Sequence, residues 1–326
     1  MADTGTELAL TPEAEAFVRE WLAEGDTIEA HTSGSTGKPK PLRLSKRDME
    51  ASARATLRFF GLGRGSLLLL PLPAGYIAGK MQIVRALTGG CRLLAEPPSR
   101  TPFATVKPED VPLSSMAAIV PSQAEGLMKS AIYPRLGAII IGGAPIAPHL
   151  EKRIADSGAN AYATYGMTET CSHVALRKLG TAEFKALPGF RFETDPRGCL
   201  VINSESLSFG TLVTNDNVEL SSPTTFRWLG RLDNIINSGG VKINPEEVEN
   251  LILPLLPEGA CGYLTSRPSE LWGEEAVFVT DSREVTLETI LPALGQLHKA
   301  KRPKAVIWEE TIPLTTSGKI IRKKLK

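Results

Sequence analysis

The sequence contains only four cysteines and four histidines among its 326 residues. No two cysteines form a C-x-x-C pair, and the histidines have no metal-ligand spacing, which argues against a structural zinc site and a disulfide framework. Scattered cysteines of this kind are typical of reducing compartments. The N-terminus also lacks the basic and apolar regions of a signal peptide, so we expect a cytoplasmic protein.

The chain also lacks an excess of charge of either sign. Lysine and arginine total 37 against 36 aspartates and glutamates, which leaves no electrostatic footprint for nucleic acid or an anionic membrane. No apolar run reaches about 18 residues, so no transmembrane helix is predicted. Apolar residues make up 42% of the sequence, enough for a sizeable core. We therefore expect an ordered protein with neither a nucleic acid nor an anionic membrane as its partner.

Short apolar runs alternate with helix-favouring segments over the first half of the chain. Strands are predicted at 66–72, 117–121, 138–141 and 160–164, and helices at 79–88, 122–130 and 145–157. Strand–helix alternation is typical of a parallel sheet covered by helices. From about Arg191 shorter β-like runs separated by turn signals predict an antiparallel β region.

The polar junction at 230–234 predicts a domain boundary. Beyond it the sequence predicts a helix from Pro245, strands near 262–265 and 276–280, a helix near 285–298 and a strand at 305–308. Such a segment of roughly ninety residues is long enough to fold as an α+β unit. The fold-class prediction is therefore α/β: a large domain over 1–232, with a parallel-rich sheet and a β subdomain, and a small mobile domain over 233–326.

A run of hydroxyl, glycine and lysine residues lies near the start of the chain. Its anion-binding candidates are Thr32, Ser33, Gly34, Ser35, Thr36, Gly37, Lys38 and Lys40. Hydroxyls and backbone N–H groups can surround a polyphosphate, glycines allow close approach, and lysines neutralise charge. The run is not a Walker loop, because Pro39 follows Lys38. A flexible Ser/Gly linker is the structural alternative.

A second motif, Tyr165-Gly166-Met167-Thr168-Glu169-Thr170, follows the predicted strand at 160–164. Its aromatic ring can stack on a base, its threonine can bond a phosphate, and its glutamate can bind Mg²⁺. An ordinary strand-to-helix turn is the alternative interpretation.

Three further motifs complete the pattern. Asp216 and Arg231 suit the vicinal hydroxyls of a ribose, although taken alone they are more typical of a surface salt bridge. The Gly239–Gly240 pair can line a narrow passage or simply precede a helix. Lys319 follows the flexible, hydroxyl-rich Pro313–Gly318 segment, and the basic residues after it, 322–326, are expected to be solvated.

Together, in this order, the five motifs resemble the adenylate-forming superfamily of acyl- and aryl-CoA ligases, adenylation domains and luciferases. The resemblance extends from Thr32 to Lys319. Among its branches, the short length and the stretch 71–81 are most similar to o-succinylbenzoate–CoA ligases of menaquinone biosynthesis. Two features depart from the family pattern. Only 31 residues precede Thr32, so we expect the first subdomain to be truncated, and Asn215 replaces the usual glycine of the ribose motif.

The resemblance implies a role for each motif. The 32–40 segment would hold the β- and γ-phosphates of ATP, Thr168 the α-phosphate, and Glu169 would bind Mg²⁺. Lys319 would join the α-phosphate to the attacking carboxylate. Tyr165 and Gly166 would flank the adenine, opposite a wall formed by Gly142, Gly143, Ala144 and Pro145. Asp216 and Arg231 would hold the ribose, with Asp233 at the hinge between domains.

The resemblance also implies a second step, in which Gly239, Gly240 and Lys242 line the route of coenzyme A. Tyr76, Gly79 and Lys80 are candidate substrate residues, and His31, Arg85 and Ser122 are further candidates for a second carboxylate. The alternatives are a ligase for another acid, a carrier-loading adenylation domain, or a non-catalytic nucleotide-binding homologue. Either a monomer or a homodimer fits the sequence.

Overall fold

The computed structural model of the protein describes residues 7–31, 41–315 and 319–325. Strands and helices alternate over the first half, as the apolar runs predict. In chain order they are β1 (Leu8–Ala9), α1 (Pro12–Leu22), β2 (Thr27–His31), β3 (Pro41–Ser45), α2 (Lys46–Phe60), β4 (Leu67–Leu70), α3 (Ile77–Gly89), β5 (Arg92–Ala95), β6 (Ser115–Ile119), α4 (Pro121–Lys129), β7 (Ala138–Ile141), α5 (Pro148–Asp156) and β8 (Ala161–Gly166).

The second half is mainly β. Its strands up to the predicted junction are β9 (His173–Lys178), β10 (Phe184–Ala186), β11 (Phe190–Thr194), β12 (Cys199–Ser204), β13 (Thr211–Ser222) and β14 (Thr225–Arg231). After the junction come β15 (Ile236–Ser238), β16 (Val241–Ile243), α6 (Pro245–Ile252), β17 (Gly262–Ser269), β18 (Gly273–Thr280), α7 (Leu287–Ile290) and β19 (Ala305–Trp308).

Strands β1 and β4 to β14 form one continuous sheet in the order β1-β5-β4-β6-β7-β8-β9-β10-β14-β13-β12-β11. The pairs from β1 to β8 are parallel, and those from β8 to β11 are antiparallel. The predicted α/β class with a parallel-rich sheet and a β region is therefore confirmed. The antiparallel β region belongs to the same sheet as the parallel strands, and the two parts are joined through the β8–β9 pair.

The parallel strands are buried on both faces. Leu68 and Leu70 of β4 belong to the core that contains α2 and α3, whereas Leu67 and Leu69 belong to the core that contains α4 and α5. Side chains of a strand alternate between faces, so four consecutive leucines supply both cores. This explains why the strands appear in the sequence as short continuous apolar runs.

Residues after the junction form a second sheet in the order β16-β15-β18-β17, with β19 parallel to β18. The predicted helix near 285–298 is wrong in length. The α-helix ends at Ile290 and continues only as a 3-10 turn over Leu291–Leu294. Pro292 has no N–H to donate, and its ring clashes with the carbonyl four residues earlier, which explains the early end.

The predicted solvated tail is wrong for Arg322. Its side chain is only 25% exposed and forms ion pairs with Glu246 and Glu249 of α6. Ile320 and Leu325 on either side pack against an apolar cluster that contains Tyr263. The C-terminal segment is thus docked on the second sheet.

Gly79 in α3 shows why this helix requires a glycine. A Cβ atom there would lie 2.2 Å from the carbonyl oxygen of Pro73. We expect Gly79→Ala to lower the free energy of unfolding by about 1–3 kcal/mol, since the backbone must shift to make room. Gly63 has no neighbour within 4 Å of its Cβ position and serves as the control. Urea unfolding of both variants tests this, and equal values for the two would contradict the close-contact explanation.

Candidate functional site

The β13–β14 hairpin contains the predicted ribose pair. Asp216 and Arg231 lie opposite each other in the strand register, and Arg231 Nη1 lies 3.6 Å from Asp216 Oδ1. Asp216 is 5% exposed, whereas the Arg231 side chain is 43% exposed. The hairpin therefore presents a nearly buried carboxylate beside a guanidinium that reaches solvent.

Two more side chains donate hydrogen bonds to Asp216. The Tyr165 hydroxyl lies 2.8 Å from Oδ2, and Trp228 Nε1 lies 3.2 Å from Oδ1. Burial raises the pKa of Tyr165, and the Asp216 carboxylate raises it further, so the phenol remains a proton donor. The Tyr165 ring packs edge-on against Phe184 and Phe226. Tyr165 is thus held in place on both its polar and its apolar side.

The predicted Gly142–Pro145 wall lies next to Tyr165. It follows β7, whose Ile141 pairs with Ala163 of β8 in parallel register. A Cβ atom on Gly142 would lie 2.4 Å from the Oγ1 atom of Thr164, the residue before Tyr165. Because neighbouring parallel strands end at the same sheet edge, the turn and the tyrosine are brought together.

After β8 the chain forms a 3-10 turn over Thr168–Thr170. Thr168 is buried and Glu169 is exposed. Cys171, directly after the turn, has a φ of +63°, which L-residues rarely adopt. The motif is therefore a strained turn at a strand end, where Gly166 has Ser172 and His173 backbone against it.

A divalent cation at Glu169 would depend on a ligand for its remaining contacts. Among the described residues, no three His, Cys, Asp or Glu side chains cluster closely enough to hold a metal. One exposed carboxylate suits Mg²⁺, which usually combines one or two carboxylates with substrate phosphates and water. The residues present fit such a partial site.

The predicted phosphate-binding residues 32–40 lie outside the described residues. The strands on either side are described, and β2 and β3 pair antiparallel from Thr27↔Ser45 to His31↔Pro41. Part of β3 lies within 8 Å of the Thr168–Thr170 turn, measured between Cα atoms. The segment therefore leaves from and returns to a hairpin that adjoins this turn.

Lys319, near the C-terminal end of the sequence, lies within electrostatic reach of Asp216 and Arg231. Burial lowers the pKa of its ammonium, the Arg231 guanidinium lowers it further, and the Asp216 carboxylate opposes this change. The backbone around it is closed as a hairpin, with Thr315 N donating to Lys319 O at 2.8 Å. Charges of both ribose candidates thus act on the predicted catalytic lysine.

The Gly239–Gly240 pair forms a tight turn between β15 and β16. Their φ values of +55° and +81° are both in the left-handed region that favours glycine. A Cβ on Gly239 would lie 2.3 Å from the Trp272 ring, while Gly240 faces open space. Lys242 follows in β16 and is exposed. The turn is therefore a fixed hairpin rather than an irregular loop.

The candidate substrate residues differ in their surroundings. Tyr76 is 53% exposed and precedes α3, whereas Lys80 is buried. The Lys80 ammonium donates to the Glu29 carbonyl at 2.9 Å, lies 3.5 Å from a Glu20 carboxylate oxygen and sits over the Phe17 ring. These contacts tie α3 to α1 and β2, which gives Lys80 a structural function, and its predicted substrate contact stays a prediction.

Arg85 is the buried cation of α3. It is 2% exposed, and burial lowers its pKa to about 9. Within the described part of the chain its partners are Gln82 at 3.2 Å and Ser172 at 2.6 Å, neither of them a carboxylate, and its Nε has no partner. Burying a guanidinium without a counterion costs desolvation free energy, which a bound anion would offset. Ser172 follows the Thr168–Thr170 turn by two residues, so its hydrogen bond places the Arg85 guanidinium close to that turn.

Asn215, where the family pattern has glycine, takes part in a network at the junction. Its amide donates to Asp233 Oδ1 at 3.1 Å and accepts from Arg197 at 3.2 Å. Asp233 also accepts from Arg231 at 2.7 Å. The replacement thus connects the ribose motif to the predicted hinge residue, a contact that motif spacing alone does not reveal.

Comparison with known proteins supports one family. Residues 27–196 match the model of the AMP-binding enzyme family. The 2-succinylbenzoate–CoA ligase of Bacillus mycoides (strain KBAB4) is 29% identical over an alignment that covers 97% of this chain and 73% of that protein. The corresponding protein of Enterococcus faecalis (strain ATCC 700802 / V583) is 27% identical and covers 90% of this chain.

Solved structures give the same result. The acyl-CoA synthetase (AMP-forming)/AMP-acid ligase II-like protein of Dyadobacter fermentans DSM 18053 is 32% identical, with a TM-score of 0.64 and coverage of 96% of this chain and 93% of that one. The o-succinylbenzoate CoA synthetase of Bacillus subtilis, in complex with OSB-AMP, has a TM-score of 0.74 at 22% identity, covering 90% of this chain and 67% of that one. The latter supports the fold alone. Across the described ranges, no helix combines the length and apolar character needed to cross a bilayer.

The electrostatic surroundings of Lys319 lead to a titration test. After reductive ¹³C-methylation, the NMR signal that is missing in Lys319→Arg should titrate below the value of about 10.4 of a free lysine. Arg231→Met should raise this pKa, because it removes a repelling cation, and Asp216→Asn should lower it, because it removes an attracting anion. A Lys319 signal unmoved by both substitutions would contradict the convergence described above.

Proposed function

The chain belongs to the AMP-binding enzyme family and is an AMP-forming acid–CoA ligase, and from this premise we propose that its acid is o-succinylbenzoate. ATP activates the acid as an acyl-AMP with release of pyrophosphate, and the thiol of coenzyme A then displaces AMP to give the thioester. The relatives named 2-succinylbenzoate–CoA ligase carry the choice of acid. The two-step reaction is supported by the meeting of Tyr165, Asp216, Arg231 and Lys319, which come from three distant parts of the chain.

The first step requires two anions to meet. The carboxylate of the acid attacks the α-phosphorus, and the negative charge on the phosphate oxygens grows as pyrophosphate leaves. Lys319 offers an ammonium next to the nucleotide position, where it neutralises both the carboxylate and the α-phosphate and sets their angle of approach. Burial first and the Arg231 guanidinium second lower its pKa, which accords with an enclosed position beside a second cation.

The nucleotide is held by the remaining motifs. Asp216 accepts from the ribose hydroxyls while Arg231 donates to them, and Tyr165 and the Gly142–Pro145 turn flank the adenine. Thr168 contacts the α-phosphate, and the 32–40 segment holds the outer phosphates. Glu169 would hold Mg²⁺, which would neutralise phosphate charge when bound.

The second step uses a different part of the small domain. We propose that residues 1–232 form the large domain and 233–326 a lid that rotates near Asp233 between the steps. The Gly239–Gly240 turn then lines the passage of the pantetheine arm, with Lys242 beside it. Membership of β15 to β19 in a separate sheet supports this division.

o-Succinylbenzoate has two carboxylates, of which one reacts and the other needs a cation. Arg85 is the best candidate for that cation, because it is buried, has no acidic partner among the described residues and has an unpaired Nε. Its hydrogen bond to Ser172 places the guanidinium near the Thr168–Thr170 turn. A ligase for a different aryl or acyl acid is the second candidate function, and it would leave this buried cation without a purpose.

Two variants separate the half-reactions. Lys319→Ala should abolish pyrophosphate release with o-succinylbenzoate and ATP but spare thioester formation from supplied acyl-AMP, since its ammonium serves only the first step. Gly240→Leu should do the reverse, because its side chain would project into the pantetheine passage.

Gly259→Leu is the matched control for Gly240→Leu. Gly259 also has a positive φ and open space around its Cβ position, so it reproduces the backbone strain. Equal losses in both half-reactions for Lys319→Ala, or normal coenzyme A turnover in Gly240→Leu, would refute the assigned roles.

A panel of acids tests the substrate. The enzyme should prefer o-succinylbenzoate over both analogues that lack one of its carboxylates. Arg85→Leu should raise the KM for o-succinylbenzoate at least tenfold and reduce this preference, because the second carboxylate loses its cation. Arg92→Leu, which removes an exposed arginine, is the control. An unchanged preference in Arg85→Leu would contradict the role given to Arg85, whereas no preference for o-succinylbenzoate in the unmodified enzyme would favour the ligase for another acid.

A further inference from the structure

The segment after Lys319 is attached to the second sheet along its length. Leu325 N donates to Ser266 O at 3.0 Å, and the Thr265 hydroxyl donates to Lys323 O at 2.8 Å. Ile320 and Leu325 add apolar contacts at the two ends. The segment is therefore held beside β17 both by hydrogen bonds and by packing.

Arg322 lies at the centre of this attachment and forms a bidentate ion pair. Both of its terminal nitrogens donate to Glu249, with Nη2 lying 2.7 Å from Oε2, and Nη1 also donates to Leu264 O at 3.0 Å. Glu246 Oε1 lies 3.5 Å from Nη2. The glutamate side chains are each 8% exposed, so little water competes for the guanidinium.

The first turn of α6 also contacts the strand that ends in Arg231 and the turn that follows it. Glu246 Oε1 accepts from Asn234 Nδ2 at 2.5 Å, and Asn244 Nδ2 donates to Leu229 O at 2.9 Å. A Cβ on Gly230 would lie 2.6 Å from oxygens of both Asn244 and Glu246. The first turn of α6 is thus packed directly against the residues on either side of Arg231.

These contacts connect Lys319 to the residues around Arg231 through Arg322 and α6. Lys319 is three residues before Arg322, Arg322 is bound to α6, and α6 rests on residues 229–234. We propose that Arg322 is the positioning residue for Lys319: its ion pair with Glu249 holds the C-terminal segment at a defined distance from Arg231 during acyl-AMP formation. This inference rests on the proposed function of Lys319.

The geometry explains why an arginine is required. A guanidinium donates two parallel bonds to one carboxylate and a third to a backbone carbonyl, which defines direction as well as distance. A lysine at 322 would keep the positive charge but could not donate two parallel hydrogen bonds to one carboxylate. Because a misplacement of about 1 Å in a reacting group can cost a hundredfold in rate, a small shift of the segment is enough to affect the first step.

The test uses Arg322→Lys and Glu249→Gln in the full chain. Glu249→Gln keeps an oxygen for the Leu264 N–H, so it weakens the ion pair with little change in packing. We expect both variants to lower kcat for acyl-AMP formation about ten- to a hundredfold and to leave the KM for ATP within about twofold. Thioester formation from supplied acyl-AMP should be unchanged, since Lys319 is not used in it.

Lys324→Ala is the matched control. It removes an exposed ion pair with Glu274 from the same segment and should leave both half-reactions unchanged. Equal loss of both half-reactions in Arg322→Lys and Glu249→Gln would indicate a purely structural role, and no loss in either variant would also overturn the inference. If instead the unmodified enzyme formed no acyl-AMP with any acid, the proposed function itself would fail.

Discussion

A carboxylate that is 5% exposed needs hydrogen-bond donors, and Asp216 obtains them from β8 and β14. The Tyr165 hydroxyl and the Trp228 indole hold its oxygens in place, while Arg231 balances its charge. Loss of this carboxylate would leave a buried phenol and indole without their acceptor, which is costly in a dry site. The constraint joins the parallel and antiparallel parts of the sheet at the place where the nucleotide is expected.

Lys80 and Arg85 are buried and Arg322 is half-buried, and each of these cations has a different consequence. Lys80 is satisfied by Glu20, Glu29 and the ring of Phe17, so it stabilises the packing of α3. Arg322 is satisfied by two glutamates of α6. Arg85 has only neutral partners within the described residues, and its Nε has none there.

The small C-terminal unit presents two chemically distinct edges. One carries Lys319 on a docked segment, and the other carries the tight Gly239–Gly240 turn with Trp272 against it. Both are rigid, because one is held by the Arg322 ion pair and the other by paired strands. Two such fixed edges on one sheet accord with the rotation that we propose between the two steps.

The linear order of residues was sufficient for the alternation of strands and helices and for the order of the five motifs. These depend on local periodicity and residue chemistry, which the chain displays directly. The helix predicted near 285–298 was too long, because Pro292 interrupts an otherwise helical pattern. Gln82 is three positions from Arg85, but the other partners of Arg85 and Arg322 lie 58 to 87 positions away, such as Ser172 for Arg85 and Leu264 for Arg322. Burial and pairing are properties of the packed chain, so only the tertiary structure decided which of these cations has carboxylate partners and which has neutral partners alone.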